Sequence, residues 1–245
     1  MLKNSKTYFN WSTGKDAALA LYHLQNGKKH HIDRLLTTIN SHHDRVSMHG
    51  LRRELLTEQI KEIGLPLTVI ELPEEPTMEV YDTAMERVIG KLHSEGYTHC
   101  GFGDIFLEEL RAYRETKLRP YDIQCCFPLW QRNTKELITE FLDLGFRAII
   151  IAINAELLDV SFAGREIDKN FLKDLPANVD PCGENGEFHT FCFDGPIFTN
   201  PVEFTLGEKV FREYKRPKNQ DTGIVGNSMG FWFSDLLPIE KRQNN

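Results

Sequence analysis

Two hydrophobic rhythms alternate along the first 153 positions, and they predict a strand–helix–strand succession. Thr7-Tyr8-Phe9-Asn10-Trp11 is rich in β-favouring residues and reads as a strand. Ala17, Ala18, Leu19, Leu21, Tyr22 and Leu24 follow at helical spacing, and Asn26-Gly27 ends that run. The same alternation continues with a strand at 32–39, a helix from Leu51 to Gly64, a strand at 67–72 and a helix at 77–95. A short strand at 99–102 ends at Gly103-Asp104, and a helix is predicted over 105–118. A strand at 125–129 comes next, then a helix opened by Asn133-Thr134-Lys135-Glu136, which has capping-box spacing. The stretch 146–153, with Ala148-Ile149-Ile150-Ile151-Ala152-Ile153, is the most apolar strand of all. Such alternation predicts an α/β fold in which a parallel sheet carries helices on both faces. Its ligands are expected at the carboxyl ends of the strands.

Beyond residue 155 glycine, proline and asparagine become frequent, the strands look shorter and no long helix is evident. This divides the chain into a first domain, 1–154, and a smaller C-terminal domain, 155–245, expected to close over the carboxyl edge of the sheet. The last residues, Lys241 to Asn245, read as a solvated tail.

Composition narrows the class. With 36 acidic against 29 basic residues the net charge is −7, which argues against bulk nucleic-acid binding. The sequence has no apolar run of about 18 residues, so no membrane span is expected. The five cysteines (Cys100, Cys125, Cys126, Cys182, Cys192) follow no zinc spacing. They read as reduced thiols of a cytoplasmic protein.

Three short motifs carry the chemistry. Ser12-Thr13-Gly14-Lys15-Asp16-Ala17 is a small-residue turn between the first strand and the first helix. A helix N-terminus there points backbone N–H groups outward, and Lys15 adds a positive charge, so the turn suits a phosphate. It is not a Walker A loop, because Asp16 follows the lysine and the earlier glycine is missing. Gly101-Phe102-Gly103-Asp104-Ile105 repeats the strand–turn–helix arrangement, with Asp104 as either a helix N-cap or a magnesium ligand beside phosphate. On the following helix Arg111, Arg114 and Lys117 share a face, and Arg111 or Arg114 is a candidate for meeting phosphate or a substrate carboxylate. Cys182 to Thr190 sets Glu184, Glu187 and His189 between glycines, as candidate bases, magnesium ligands or holders of an ammonium group.

Together these motifs resemble one family. Ser12 to Ala17 resembles the Ser-Gly-Gly-Lys-Asp-Ser signature of the PP-loop ATP pyrophosphatases, with Thr13 in place of the first glycine and Ala17 in place of the last serine. With Ser47-Met48-His49-Gly50, Gly103-Asp104-Ile105 and Cys182 to Thr190, the chain is similar to the diphthine–ammonia ligase family over essentially its whole length. The resemblance implies an adenine nucleotide alpha hydrolase-like (Rossmann-like) fold with a five-stranded parallel sheet. It also implies ATP, Mg²⁺ and formation of an amide: a carboxylate is adenylated with release of pyrophosphate, then attacked by ammonia. On this resemblance Ser12, Thr13, Gly14, Lys15, Asp16, Ala17, Gly103 and Asp104 hold the nucleotide phosphates, and Thr38, Ile39 and Asn40 face the adenine. Asp16 and Asp104 are candidates for Mg²⁺, and Lys15, Asp104 and Glu187 for catalysis. Glu184, Glu187, His189, Thr190, Arg111 and Arg114 are expected on the acceptor side. Enzymes acting on diphthine tend to carry Glu where this chain has His189. The implied partner is a carboxylate-bearing substrate, diphthine on elongation factor two in an archaeal or eukaryotic source, and a homodimer is compatible with the sequence. The alternatives are a PP-loop tRNA-modifying enzyme and a non-catalytic adenine-nucleotide-binding protein.

Overall fold

The computed structural model describes residues 6–27, 29–47, 49–215 and 228–239; the tail 241–245 and Met48, both part of the sequence expectations, lie outside the described residues. Five parallel strands form the first sheet: β1 (Lys6–Asn10), β2 (His31–Asn40), β4 (Leu67–Leu72), β5 (His99–Gly101) and β6 (Gln124–Cys126). Their spatial order is β4-β2-β1-β5-β6. The two-residue β3 (Arg45–Val46) adds an antiparallel pairing at the end of β2. Helices α1 (Lys15–Asn26), α2 (Arg53–Ile63), α3 (Met78–Ser94) and α4 (Glu108–Leu118) alternate with these strands. From β1 the chain builds outward through β2 and β4, then returns to the other side of β1 for β5 and β6. The order reverses between β1 and β5, and the crevice at that switch point is where doubly wound sheets bind ligands. The loops leaving β1 and β5 carry the first two sequence motifs.

Local signals explain most of the boundaries. Thr77 caps α3 by accepting from Val80 N, and Asn133 Oδ1 accepts from Lys135 N and Glu136 N at the start of α5 (Thr134–Asp143). Gly64 ends α2 in the left-handed region, at φ 74°.

The strand 147–154 departs from its expected place. As β7 (Arg147–Asn154) it lies in a second, antiparallel sheet with β8 (Phe188–Asp194), β9 (Phe204–Lys215) and β10 (Ser228–Pro238), in the order β8-β7-β10-β9. Seven of its eight residues are buried. Its continuous apolar run therefore reports cover on both faces, which an inner antiparallel strand obtains as readily as a parallel one. The strands of this region are also not short: β9 and β10 are the longest described, at 12 and 11 residues.

The two sheets share one core. Phe141 of α5 stacks on Phe146 at 5.0 Å, and Tyr22 of α1 meets Phe146 edge-on at 5.9 Å. Asp235 on β10 binds Arg45 and Arg52 at 2.9 and 2.7 Å, fastening the antiparallel sheet to the loop region around β3. No described helix is long and apolar enough to cross a membrane.

Candidate active site

The loop after β1 is a strained turn held from both sides. Thr13 is fully buried with φ 75°, a left-handed conformation that costs a β-branched residue most and that glycine adopts freely. The resembled signature places a glycine here, for this backbone reason. The strain persists because the Thr13 carbonyl accepts from Cys192 N at 2.9 Å and from Gln59 Nε2 at 3.0 Å. Gly14 then occupies the N-cap of α1 and has no side chain of its own to cap the helix. That leaves its N-terminal dipole directed at the switch-point crevice.

The three motifs meet at this point. Thr190 Oγ1 accepts from Lys15 N at 3.0 Å, so β8 packs directly on the first turn of α1. A Cβ on Gly103 would stand 2.9 Å from Ala17 N and 3.0 Å from the Asp16 carbonyl carbon. Only a glycine lets the second loop approach the first so closely. Glu184 closes the group by accepting from Ile105 N at 2.8 Å, tying the third motif to the second. Ser12 and Ala17 complete the first turn, and Ala17 is buried within it.

Lys15 is 2% exposed. Its ammonium donates to both Asp16 oxygens, at 2.7 and 2.6 Å, and to the Cys182 carbonyl. Burial works against the charged form, but Asp16, then Cys182 and Glu184, outweigh it and hold the Lys15 pKa above its ordinary value. Lys15 is a cation stored in the first turn of a helix whose N-cap is a glycine.

Asp104 is not a helix N-cap. The helix starts at Glu108 with Leu107 at its cap, so Asp104 lies four positions ahead of it, in the loop. Its carboxylate pairs with Arg114, Nε to Oδ2 at 2.9 Å, and Arg114 in turn lies over the Phe102 ring at 4.4 Å. Arg111 turns elsewhere, bound to Glu115 at 2.8 Å and packed over the rings of Phe127 and Trp130. Of the two arginines, Arg114 belongs to the crevice.

The third motif divides its labour. Glu187 is 3% exposed, and its carboxylate accepts from Asp180 N, Asn185 N and Asn185 Nδ2 at 2.9–3.1 Å. It holds the 180–187 turn in shape. Glu184 faces the other ionic groups. Burial first, then the Asp16 charge, push its carboxyl up to about 7, with Asp104 adding to the rise. An acid raised from an ordinary 4.5 keeps its proton in the folded chain over a range where the unfolded chain has lost it. Stability should therefore fall as pH rises from about 4.5 to about 7, by at most about 3 kcal/mol. Urea titrations of wild type and Glu184→Gln across that window should differ by this slope; parallel curves would remove the raised carboxyl.

His189 packs against His49, ring centroids 4.8 Å apart and planes tilted by 32°. Burial is the main cause that lowers both, His49 to about 3 and His189 to about 4, so both rings are neutral at pH 7. His49 lies against Gly14: a Cβ there would stand 3.3 Å from its Cε1. His49 Nδ1 is buried without a protein partner. Sequence reasoning used His49 only as part of a motif and missed its place on the loop. It missed Gln59 altogether, since a glutamine on an amphipathic helix carries no sign of burial.

The adenine candidates stand at the carboxyl end of β2. Ile39 is part of the core and the Thr38 carbonyl accepts from Ser47 N at 3.0 Å. Asn40 holds the following turn, accepting from His42 N and His43 N.

The chain matches the diphthamide synthase N-terminal domain over residues 5–119 and the diphthamide synthase C-terminal domain over residues 133–224. It is 32% identical over 113 residues to the diphthine–ammonia ligase of Bos taurus and 31% identical over 113 residues to that of Homo sapiens. Each alignment covers 44% of this chain and 42% of the relative, so the chain spans less than half the length of these two relatives. Among solved structures, one named as a predicted subunit of tRNA methyltransferase from Methanocaldococcus jannaschii is similar at 18% identity. That similarity covers 60% of this chain and 80% of the other, with a TM-score of 0.42. The two domain matches cover most of the chain and include all three motifs, and by them the chain belongs to the diphthamide synthase family.

Proposed function

We propose that the protein is an ATP-dependent amide-forming ligase of the diphthine–ammonia ligase kind. The observation that supports it best is the convergence of a glycine-led helix N-terminus, a buried lysine and a raised carboxyl at the switch point of a parallel sheet. ATP is a substrate in this reading: a carboxylate bonds to the α-phosphorus, the bond to pyrophosphate breaks, and ammonia then displaces AMP from the acyl carbon with loss of a proton.

The backbone of Gly14 to Ala17 and the Lys15 ammonium hold the leaving pyrophosphate, where negative charge grows as the bond breaks. Lys15 exchanges the Asp16 carboxylate for phosphate oxygens as the nucleotide enters. Asp16 is then free to act as a cation ligand. The donor set fits Mg²⁺, since burial and the Asp16 and Asp104 charges raise the Glu184 carboxyl, burial and the Asp180 and Asp104 charges raise that of Asp16, and a hard cation relieves such crowding of carboxylates. When bound, Mg²⁺ neutralises phosphate charge, with Asp16 and Asp104 as its protein ligands. Thr38, Ile39 and Asn40 border the adenine, and Arg114 orients Asp104. Glu184, near neutrality in pKa, accepts the proton that ammonia loses. Glu187 acts by holding the turn that carries Glu184, and Thr190, His189 and His49 line the side from which the acceptor approaches.

Pyrophosphate release measured with ATP, ammonium and a panel of carboxylate acceptors, including diphthine-bearing elongation factor two, tests this. Acceptor-dependent pyrophosphate and AMP in equal amounts is expected. Tight ATP binding without turnover on any acceptor would instead support a non-catalytic nucleotide-binding protein.

A further inference from the structure

We propose that His42, His43 and Glu74 form a binding site for a zinc-class divalent transition metal on the rim of the parallel sheet. The two histidines lie in the turn between β2 and β3, and Glu74 lies in the loop after β4. β2 and β4 end in register, Asn40 opposite Leu72, so the two loops leave the sheet side by side.

One side chain fixes the backbone of all three ligands. Asn40 Oδ1 accepts from His42 N and His43 N, both at 3.1 Å, and its Nδ2 donates to the Glu74 carbonyl at 3.0 Å. Ser41 adds two bonds to the Leu72 carbonyl, from its N at 2.8 Å and its Oγ at 2.9 Å. The loops are thus joined before any ion arrives, which removes much of the ordering cost of binding.

The ligand atoms stand close to the spacing an ion requires. His43 Nε2 is 3.0 Å from Glu74 Oε1, and His42 Nε2 is 3.7 Å from Glu74 Oε2. Ligand atoms of all three residues fall within 4.8 Å of one another. Tetrahedral zinc with bonds of about 2.1 Å needs ligand–ligand separations of about 3.4 Å. The rings are nearly perpendicular, at 81°, with centroids 4.8 Å apart, so both reach the carboxylate without stacking on each other. Two imidazoles and one carboxylate suit zinc-class ions better than Mg²⁺ or Ca²⁺, which take oxygen ligands. All three residues are exposed, leaving the fourth position to water. The bland explanation is a pair of surface ion pairs, which would bind no metal stoichiometrically.

The untagged full chain titrated with Zn²⁺ alone by calorimetry, and with Co²⁺ followed by its visible absorption, tests the site. One equivalent of Zn²⁺ and a four-coordinate Co²⁺ spectrum are expected. Affinity should drop at least about tenfold in His43→Ala and in Glu74→Gln, the lower bound being what loss of even an outer-shell partner costs. His93→Ala, at an exposed histidine on α3, should bind as wild type does. Absence of binding, or equal affinity in His43→Ala and Glu74→Gln whose melting curves match wild type, would overturn the proposal.

Discussion

Lys15→Met is expected to lower ATP-dependent pyrophosphate release by about 10²–10³-fold while leaving the folded structure in place. Methionine matches the length of the lysine stem, so the buried channel between Asp16 and Cys182 stays filled. What is lost is the ammonium that balances Asp16 and donates to the Cys182 carbonyl: the Asp16 side chain is 29% exposed and can draw water, and the orphaned carbonyl costs about 1–3 kcal/mol. The effect should still appear in turnover more than in stability. A urea denaturation curve measures the second, and a coupled pyrophosphate assay the first. Release within about threefold of wild type would mean that the Lys15–Asp16 pair is only a buried ion pair and that the phosphates bind elsewhere.

The parts of this site that could be read from sequence are those whose chemistry is local. A strand, a small-residue turn and a helix start together predict an anion site, and Thr7 to Ala17 holds all three, in the order the structure has them. The capping at Asn133 and the left-handed stop at Gly64 are equally local, and the structure contains both. Asp104 was harder, because an acid just before a helical pattern satisfies the capping rule; only the partner ten residues on, Arg114, reveals its use. β7 was misplaced for a related reason. An apolar run records burial on both faces and carries no information about the direction of its neighbours, which come from residues 188–194 and 228–238. Glu184 and Glu187 are alike in sequence and differ only in what surrounds them. One is saturated by its own turn, and the other faces two carboxylates and an ammonium.

Gln59→Met should destabilise the protein by about 4 kcal/mol, through groups that belong to three separate segments. Gln59 is fully buried on α2. Its Oε1 accepts from Trp11 Nε1 at 2.8 Å, and its Nε2 donates to the carbonyls of Thr13 at 3.0 Å and Cys192 at 2.6 Å. Methionine fills nearly the same volume, so the loss is of bonds and not of packing. The Thr13 carbonyl keeps its bond from Cys192 N, but the indole N–H and the Cys192 carbonyl are orphaned. Each orphan costs about 1–3 kcal/mol, and in a chain of 245 residues their sum lowers Tm by about 10 °C. Trp11→Phe removes the indole donor and leaves the two carbonyl bonds, but it orphans Gln59 Oε1 and opens a cavity at a buried ring, so its cost in stability should approach that of Gln59→Met. The two variants also separate stability from function. Gln59→Met releases a restraint on the strained Thr13 turn and should weaken ATP binding at temperatures well below its Tm, whereas Trp11→Phe should not. A Tm shift under about 2 °C for Gln59→Met would mean that water or a neighbouring group satisfies those partners, and that the turn after β1 is held by Cys192 alone.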